Sequence, residues 1–357
     1  MDFPAPPPVL KALHKAVDHG VMGYELPSAT LLETVAARMD RLYGWKVPPE
    51  AVVATTGVVS GFNLAARAFC TRQRGYLIQT PVYNEFHEIK NTLAFPQLDA
   101  PLLETSRKGI LHYEIDWNTF QKQVKKAGMF LLCSPHNPVG KIFTRAELLQ
   151  MARLCLENDV VIVADEIHSE LLLGGEKFTP VARLSREIAD HTVTMISPSK
   201  TFNVPGLFCG FAVIPSVELH ARFTYQVESL RMHVNSLGLL AAQEAFSGTC
   251  DPWLADLRHY LTANRDALIE YVHDYLPEIQ ITRPEATYLA WLDCRELVKS
   301  GRIQGSPFDF FLQNARVALS DGRLFGEKYH AYVRLNFGCT RSTLMQALER
   351  IRKSIYQ

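Results

Sequence analysis

Val160-Val161-Ile162-Val163-Ala164-Asp165-Glu166-Ile167-His168 is the stretch on which the fold turns. Its five apolar residues in a row make a strand with no polar face, so both faces must be covered. The run then stops on two carboxylates and a histidine. A strand covered on both faces sits inside a mostly parallel sheet, and the carboxyl ends of such strands are where ligands bind. Similar units lie on either side. Val52–Thr56, Tyr76–Thr80, Met129–Ser134 and Thr192–Ser197 read as strands, and Val58–Phe69, Glu85–Leu93 and Arg145–Glu157 as helices. This alternation predicts an α/β domain with a mostly parallel central sheet.

The pattern changes after about residue 215. Helical stretches at 216–229, 235–247 and 251–275 precede two isolated strands, Thr287–Trp291 and Ala331–Asn336. The last helix opens at Thr340, a good N-cap, and runs to about Lys353. A second, smaller α+β unit is expected there.

Composition narrows the function classes. Lys plus Arg and Asp plus Glu are 37 each, so the formal charge is zero. That argues against a basic nucleic-acid binder. No apolar run reaches membrane-helix length, and the start, MDFPAPPP, lacks the basic and apolar regions of a signal peptide. Seven scattered cysteines with no Cys-x-x-Cys pair predict a reduced, cytoplasmic chain without a metal site.

Five strand ends in chain order carry polar residues. They are Thr55-Thr56-Gly57, Thr80-Pro81-Val82-Tyr83, Cys133-Ser134-Pro135-His136-Asn137-Pro138, Asp165 to His168, and Ser197-Pro198-Ser199-Lys200. A P-loop NTPase would need GxxxxGK[ST], but the chain's Gly140-Lys141 follows Pro135 where that motif has glycine. Neither HExxH nor GxSxG occurs, which removes the motifs of zinc peptidases and α/β-hydrolases. Any one of these ends alone would read as a turn or a cap; five in order read as one site.

With HGVMGY at 19–24, LLCSPHNPVGK at 131–141, ADEIH at 164–168, SPSKTFNVPGL at 197–207, ATYLAWLD at 286–293 and YVRLNFGCTR at 332–341, the chain resembles the fold-type I pyridoxal-phosphate enzymes of the class I/II aminotransferase superfamily. Within them it is similar to the MalY/PatB group of cystathionine β-lyases, the C–S lyases. The resemblance implies the aspartate aminotransferase-like fold. It implies an N-terminal segment (1–45) contributing to the small domain and dimer interface, a large cofactor-binding domain (46–255) and a small C-terminal domain (256–357). It also implies pyridoxal 5'-phosphate as cofactor, an amino-acid substrate and a homodimer.

The carry-over runs residue by residue. Lys200 matches the lysine that holds the cofactor aldehyde as a Schiff base and moves the substrate Cα proton. Asp165 matches the carboxylate facing the ring nitrogen. At about 3 Å and an effective dielectric of about 20 it favours the protonated ring by roughly 5 kcal/mol. Asn137 matches the donor to the cofactor's phenolic oxygen, and Tyr83 the aromatic stacked on its ring. His168, where many aminotransferases carry tyrosine, would support that oxygen or the Asp165 carboxylate. Gly57-Val58-Val59 at a helix start, with Ser197 and Ser199, would hold the phosphate. Tyr24 matches the tyrosine that reaches the neighbouring subunit's phosphate. Arg334 matches the residue that grips the substrate carboxylate, for which a planar guanidinium fork is suited.

Three features depart from the family pattern. Phe208 stands eight residues after Lys200, where many aminotransferases have arginine; this favours the lyase group. Family members usually have an N-terminal segment before the point where this sequence begins. Glu327-Lys328 lies in a stretch that is usually richer in glycine. The implied activity is C–S β-elimination, with amino-group transfer as the alternative.

Overall fold

The computed structural model describes all 357 residues. Its strands are β1 (Val52–Thr55), β2 (Gly75–Ile78), β3 (Gln97–Asp99), β4 (Leu103–Arg107), β5 (Ile110–Glu114), β6 (Ala127–Cys133), β7 (Val161–Asp165), β8 (Thr192–Ile196), β9 (Gly210–Val213), β10 (Gln280–Thr282), β11 (Leu289–Asp293), β12 (Ser320–Asp321) and β13 (Tyr332–Asn336). Seven form one sheet in the order β1-β9-β8-β7-β6-β2-β3. The pairs β2–β3, β2–β6, β6–β7 and β7–β8 are parallel. Only β9 runs against its neighbours β1 and β8. The α/β expectation holds.

Both faces of this sheet are covered, as the unbroken apolar runs require. Successive side chains point to opposite faces. Met129 and Leu131 of β6 accordingly pack with Phe62 and Phe86 from the helices Val58–Phe69 and Glu85–Leu93. Phe130 and Leu132 pack the other way, against Leu148 and Met151 of helix Arg145–Glu157. That helix starts on a capping box: the Thr144 hydroxyl accepts from Glu147 N–H at 3.2 Å, and the Glu147 carboxylate accepts from Thr144 N–H at 2.7 Å. The closing helix, Arg341–Tyr356, is capped by Thr340 as read from the sequence.

The second sheet has six strands in the order β12-β13-β11-β10-β5-β4. Its β4–β5 hairpin comes from within residues 46–255, far in sequence from β10, which it joins in parallel through β5. The turn between β4 and β5, Lys108-Gly109, has positive φ at both residues, as a tight hairpin needs. In the same sheet Arg334 on β13 lies opposite Trp291 on one side and Ser320 on the other.

The N-terminal helices Pro7–His19 and Ala29–Tyr43 lie against helix Ser236–Phe246. Arg38, fully buried, ties the second of them to the site. Its guanidinium pairs with Glu170 through both Nε, at 2.8 Å, and Nη2, and with Asp251 at 3.1 Å. It lies between the rings of Phe202 and Phe246, 5.3 and 5.2 Å from their centroids. Phe202 is two residues beyond Lys200. Arg38→Met should therefore cost about 3–5 kcal/mol, because Glu170 is left buried without its partner. Urea unfolding of the single variant and of Arg38→Met with Glu170→Leu checks this. The double variant should recover most of the loss, which it would not do if the arginine acted only by filling space.

Candidate active site

Because β1, β6, β7 and β8 are mutually parallel, their carboxyl ends meet at one sheet edge. Register brings Cys133, Asp165 and Met195 side by side there. Directly beyond them lies a cavity of about 570 Å³. Gly57, Val58, Val59, Tyr83, Asn137, Asp165, His168, Ser199, Lys200 and Arg334 all reach it. Residues up to 277 positions apart in the chain (334 − 57) thus share one space.

Asp165 accepts one side-chain hydrogen bond, from Ile167 N–H to Oδ1 at 3.1 Å. Burial pushes its carboxyl up to about 6, against opposing pulls from that bond and from Lys200. Lys200 sits on the short helix Pro198–Thr201 and makes no hydrogen bond. Burial, then the Arg334 charge, lowers its pKa, against Asp165. A larger fraction of the amine is therefore neutral and nucleophilic than in water.

Arg334 enters from the second sheet. Its Nη1 donates to Asn137 Oδ1 at 3.0 Å and its Nη2 to Ser320 Oγ at 3.0 Å, with Phe325 4.8 Å beneath the guanidinium. Asn137 is thereby oriented with its amide nitrogen free to donate. His168 is buried and holds no bond to Asp165; its ring meets Tyr288 edge-on, with centroids 5.8 Å apart. Its Nδ1 is buried without a partner. Burial, Lys200 and Arg334 together lower its pKa to about 3, so it is neutral.

Helix Val58–Phe69 points its uncapped start at the cavity. No side chain caps it, and Gly57 has φ +106° with open space where a Cβ would stand. Exposed backbone N–H groups at a helix N-terminus suit an anion.

One expected phosphate contact, Ser197, lies outside the cavity, and Tyr24, expected to reach the neighbouring subunit, lies at this chain's surface. Ser197 is turned inward: its hydroxyl donates to Cys209 O at 2.6 Å and accepts from Ser199 N–H at 3.1 Å, capping the lysine helix. It positions Lys200 and does not line the cavity, whereas Ser199 does. Tyr24 is 98 % exposed, in a loop, with its ring 5.7 Å from that of His233.

The model of the family described as aminotransferase class I and II matches residues 2–351. The chain belongs to that family. Cystathionine beta-lyase PatB of Bacillus subtilis is 34 % identical over 99 % of this chain and 90 % of its own. Among solved structures, cystalysin from Treponema denticola, which contains pyridoxal 5'-phosphate, superposes with TM-score 0.92 at 29 % identity, covering 99 % of this chain and 90 % of that one. The PLP-bound C–S lyase from Staphylococcus hominis does so with TM-score 0.92 at 27 % identity, covering 100 % and 90 %.

For a member of this aminotransferase family, sequence reasoning missed Ser320, whose role depends on lying across from Arg334 in the sheet. It also passed over Tyr288, Leu289 and Asn336, which line the same cavity. ATYLAWLD and YVRLNFGCTR contain three of these four, but the strand pattern alone does not say which residues face a ligand. Ser320 sits in Leu319-Ser320-Asp321, where nothing marks it as an arginine partner.

Proposed function

We propose that this chain is a pyridoxal-phosphate-dependent C–S β-lyase that cleaves cystathionine or a related β-thio amino acid to a thiol, pyruvate and ammonia. The observation that carries the reading is the gathering of Lys200, Asp165, Asn137 and Arg334 in one cavity, in a chain that matches a cystathionine β-lyase along nearly its whole length.

The cavity's chemistry fits the cofactor. Asp165 offers a buried carboxylate with one oxygen free of partners, suited to a cationic ring nitrogen. The open Gly57 cradle and the helix start suit a phosphate, and Asn137 keeps a donor for a phenolic oxygen. When bound, pyridoxal phosphate supplies an aldehyde for an amine and a protonated ring that delocalises charge from the substrate Cα. Lys200 would hold the aldehyde and, once the substrate is bound, would take its Cα proton. Asp165 would keep the ring nitrogen protonated. Arg334 pairs with the substrate carboxylate and so fixes which Cα bond faces Lys200.

Amino-group transfer would use the same residues. Phe208 at the arginine position favours elimination. The test is pyruvate release from L-cystathionine with no 2-oxo acid added. Turnover that requires an acceptor, with the cofactor converted to its aminated form, makes the chain an aminotransferase.

The active assembly is a homodimer. Val21, Met22, Tyr24 and Leu26 form an exposed apolar loop, an unusual surface for a lone protomer. An isologous pairing would give each site the partner copy's tyrosine. Tyr24→Phe should weaken cofactor binding about tenfold, the worth of one hydrogen bond to a charged group, while light scattering still reports a dimer. Equilibrium dialysis of the cofactor reads the change. No helix is long and apolar enough to cross a membrane. Seven free, buried cysteines fit a reducing compartment such as the cytoplasm.

A further inference from the structure

Tyr288 stands in the cavity wall, 7 % exposed. Its phenol makes no hydrogen bond, although its backbone carbonyl accepts from Phe337 N–H at 2.9 Å. How it comes to face the cavity is unusual. On β11 and β13, Leu289 lies opposite Asn336 and Trp291 opposite Arg334, so these residues share a sheet face. Strict alternation would send Tyr288 to the other face, with Ala290. Yet Tyr288 and Leu289 both line the cavity.

The break occurs one residue earlier. Thr287 has φ +73°, a backbone conformation that is costly for a β-branched residue. It is held there by its N–H to Leu171 O at 2.8 Å and by its hydroxyl, which accepts from Leu289 N–H at 3.1 Å. The fold thus keeps a strained residue whose effect is to turn the next side chain toward the ligand space. There the ring edge packs on His168, in the same wall as Arg334. The proximity of the Arg334 charge also pulls the phenol's pKa down, against the burial that raises it to about 12, so the hydroxyl keeps its proton and can donate.

We propose that the Tyr288 hydroxyl is a second donor to the substrate carboxylate beside Arg334, making Tyr288 a specificity-determining residue for amino acids over plain amines. This rests on the reading of Arg334 as the carboxylate-binding residue. A site built to hydrogen-bond a group discriminates against ligands that lack it more sharply than one that only fits its shape.

The test is a titration of the holoenzyme with L-alanine and with ethylamine, the same skeleton without the carboxylate, followed by the cofactor's visible absorbance. Tyr288→Phe removes no hydrogen bond that the free chain makes, so its urea midpoint should lie close to wild type. The variant should bind L-alanine about tenfold more weakly and ethylamine unchanged. Equal weakening of both ligands, which is what a packing role through His168 would give, overturns the proposal. So does unchanged binding of both. Because no turnover is needed, failure of the wild type to cleave L-cystathionine would refute the lyase reading and leave this comparison decisive.

Discussion

Lys200→Ala is expected to lower turnover of a β-thio amino acid by at least about four orders of magnitude, the upper range for a positioned proton-transfer group. The same change removes the covalent tether to the cofactor. Borohydride reduction of the wild type should fix the cofactor on the peptide containing Lys200, and reduction of the variant should fix none. Stability should hardly move. The amine makes no hydrogen bond and is partly desolvated, so alanine removes a group that the folded chain tolerates at a cost. Cofactor trapped on another lysine, or turnover within about tenfold of wild type, would refute the assignment.

The second large effect belongs to Asp165→Asn, and it has opposite signs for activity and stability. Turnover should fall at least about a hundredfold, as for loss of one well-placed electrostatic group in an active site. The cofactor-free protein should instead become more stable. Burial raises the Asp165 carboxyl from 3.8 to about 6, so the folded chain binds that proton more tightly than the unfolded chain. Between those two values stability falls as pH rises, and above about 6 the full cost, about 3 kcal/mol, is present. Asparagine keeps the oxygen that accepts from Ile167 and has no charge to bury. Urea midpoints of the cofactor-free proteins at about pH 5 and about pH 7.5 should therefore show the variant's advantage growing with pH. Glu166, also pushed up by burial, to about 8, is common to both proteins and largely cancels. An advantage that shrinks with pH would show that Asp165 is stabilised as an anion in the folded chain.

Much of this site is legible in the sequence. Its residues sit at the ends of apolar strands, and such ends meet at one edge whenever the strands are parallel. That rule places Asp165 after Val160–Ala164 and Lys200 after Thr192–Ile196 at the edge, and the family resemblance implies their roles. The strand boundaries are less legible. The strand expected at Thr287–Trp291 is observed at Leu289–Asp293 because positive φ at Thr287 delays its start. The hairpin at Leu103–Glu114 leaves no comparable signal, since its exposed β4 lacks the apolar runs that mark the other strands. Ser197 has the residue type of a phosphate donor, but its hydroxyl caps the helix that follows.

What the sequence determined by itself, then, is the doubly covered sheet, the order of its polar ends and the motifs whose family resemblance implies the roles of Lys200, Asp165, Asn137 and Arg334. These follow from apolar periodicity, residue type and motif, which are local properties of the chain. Tertiary structure alone decided that Ser320 and Asn137 orient Arg334, that Arg38 anchors the helix Ala29–Tyr43 beneath Phe202, and that Tyr288 faces the cavity. Each of these depends on strand register or on contacts between residues far apart in sequence. A shift of one residue in register turns a side chain to the opposite face, and no local pattern records which register the packed sheet adopts.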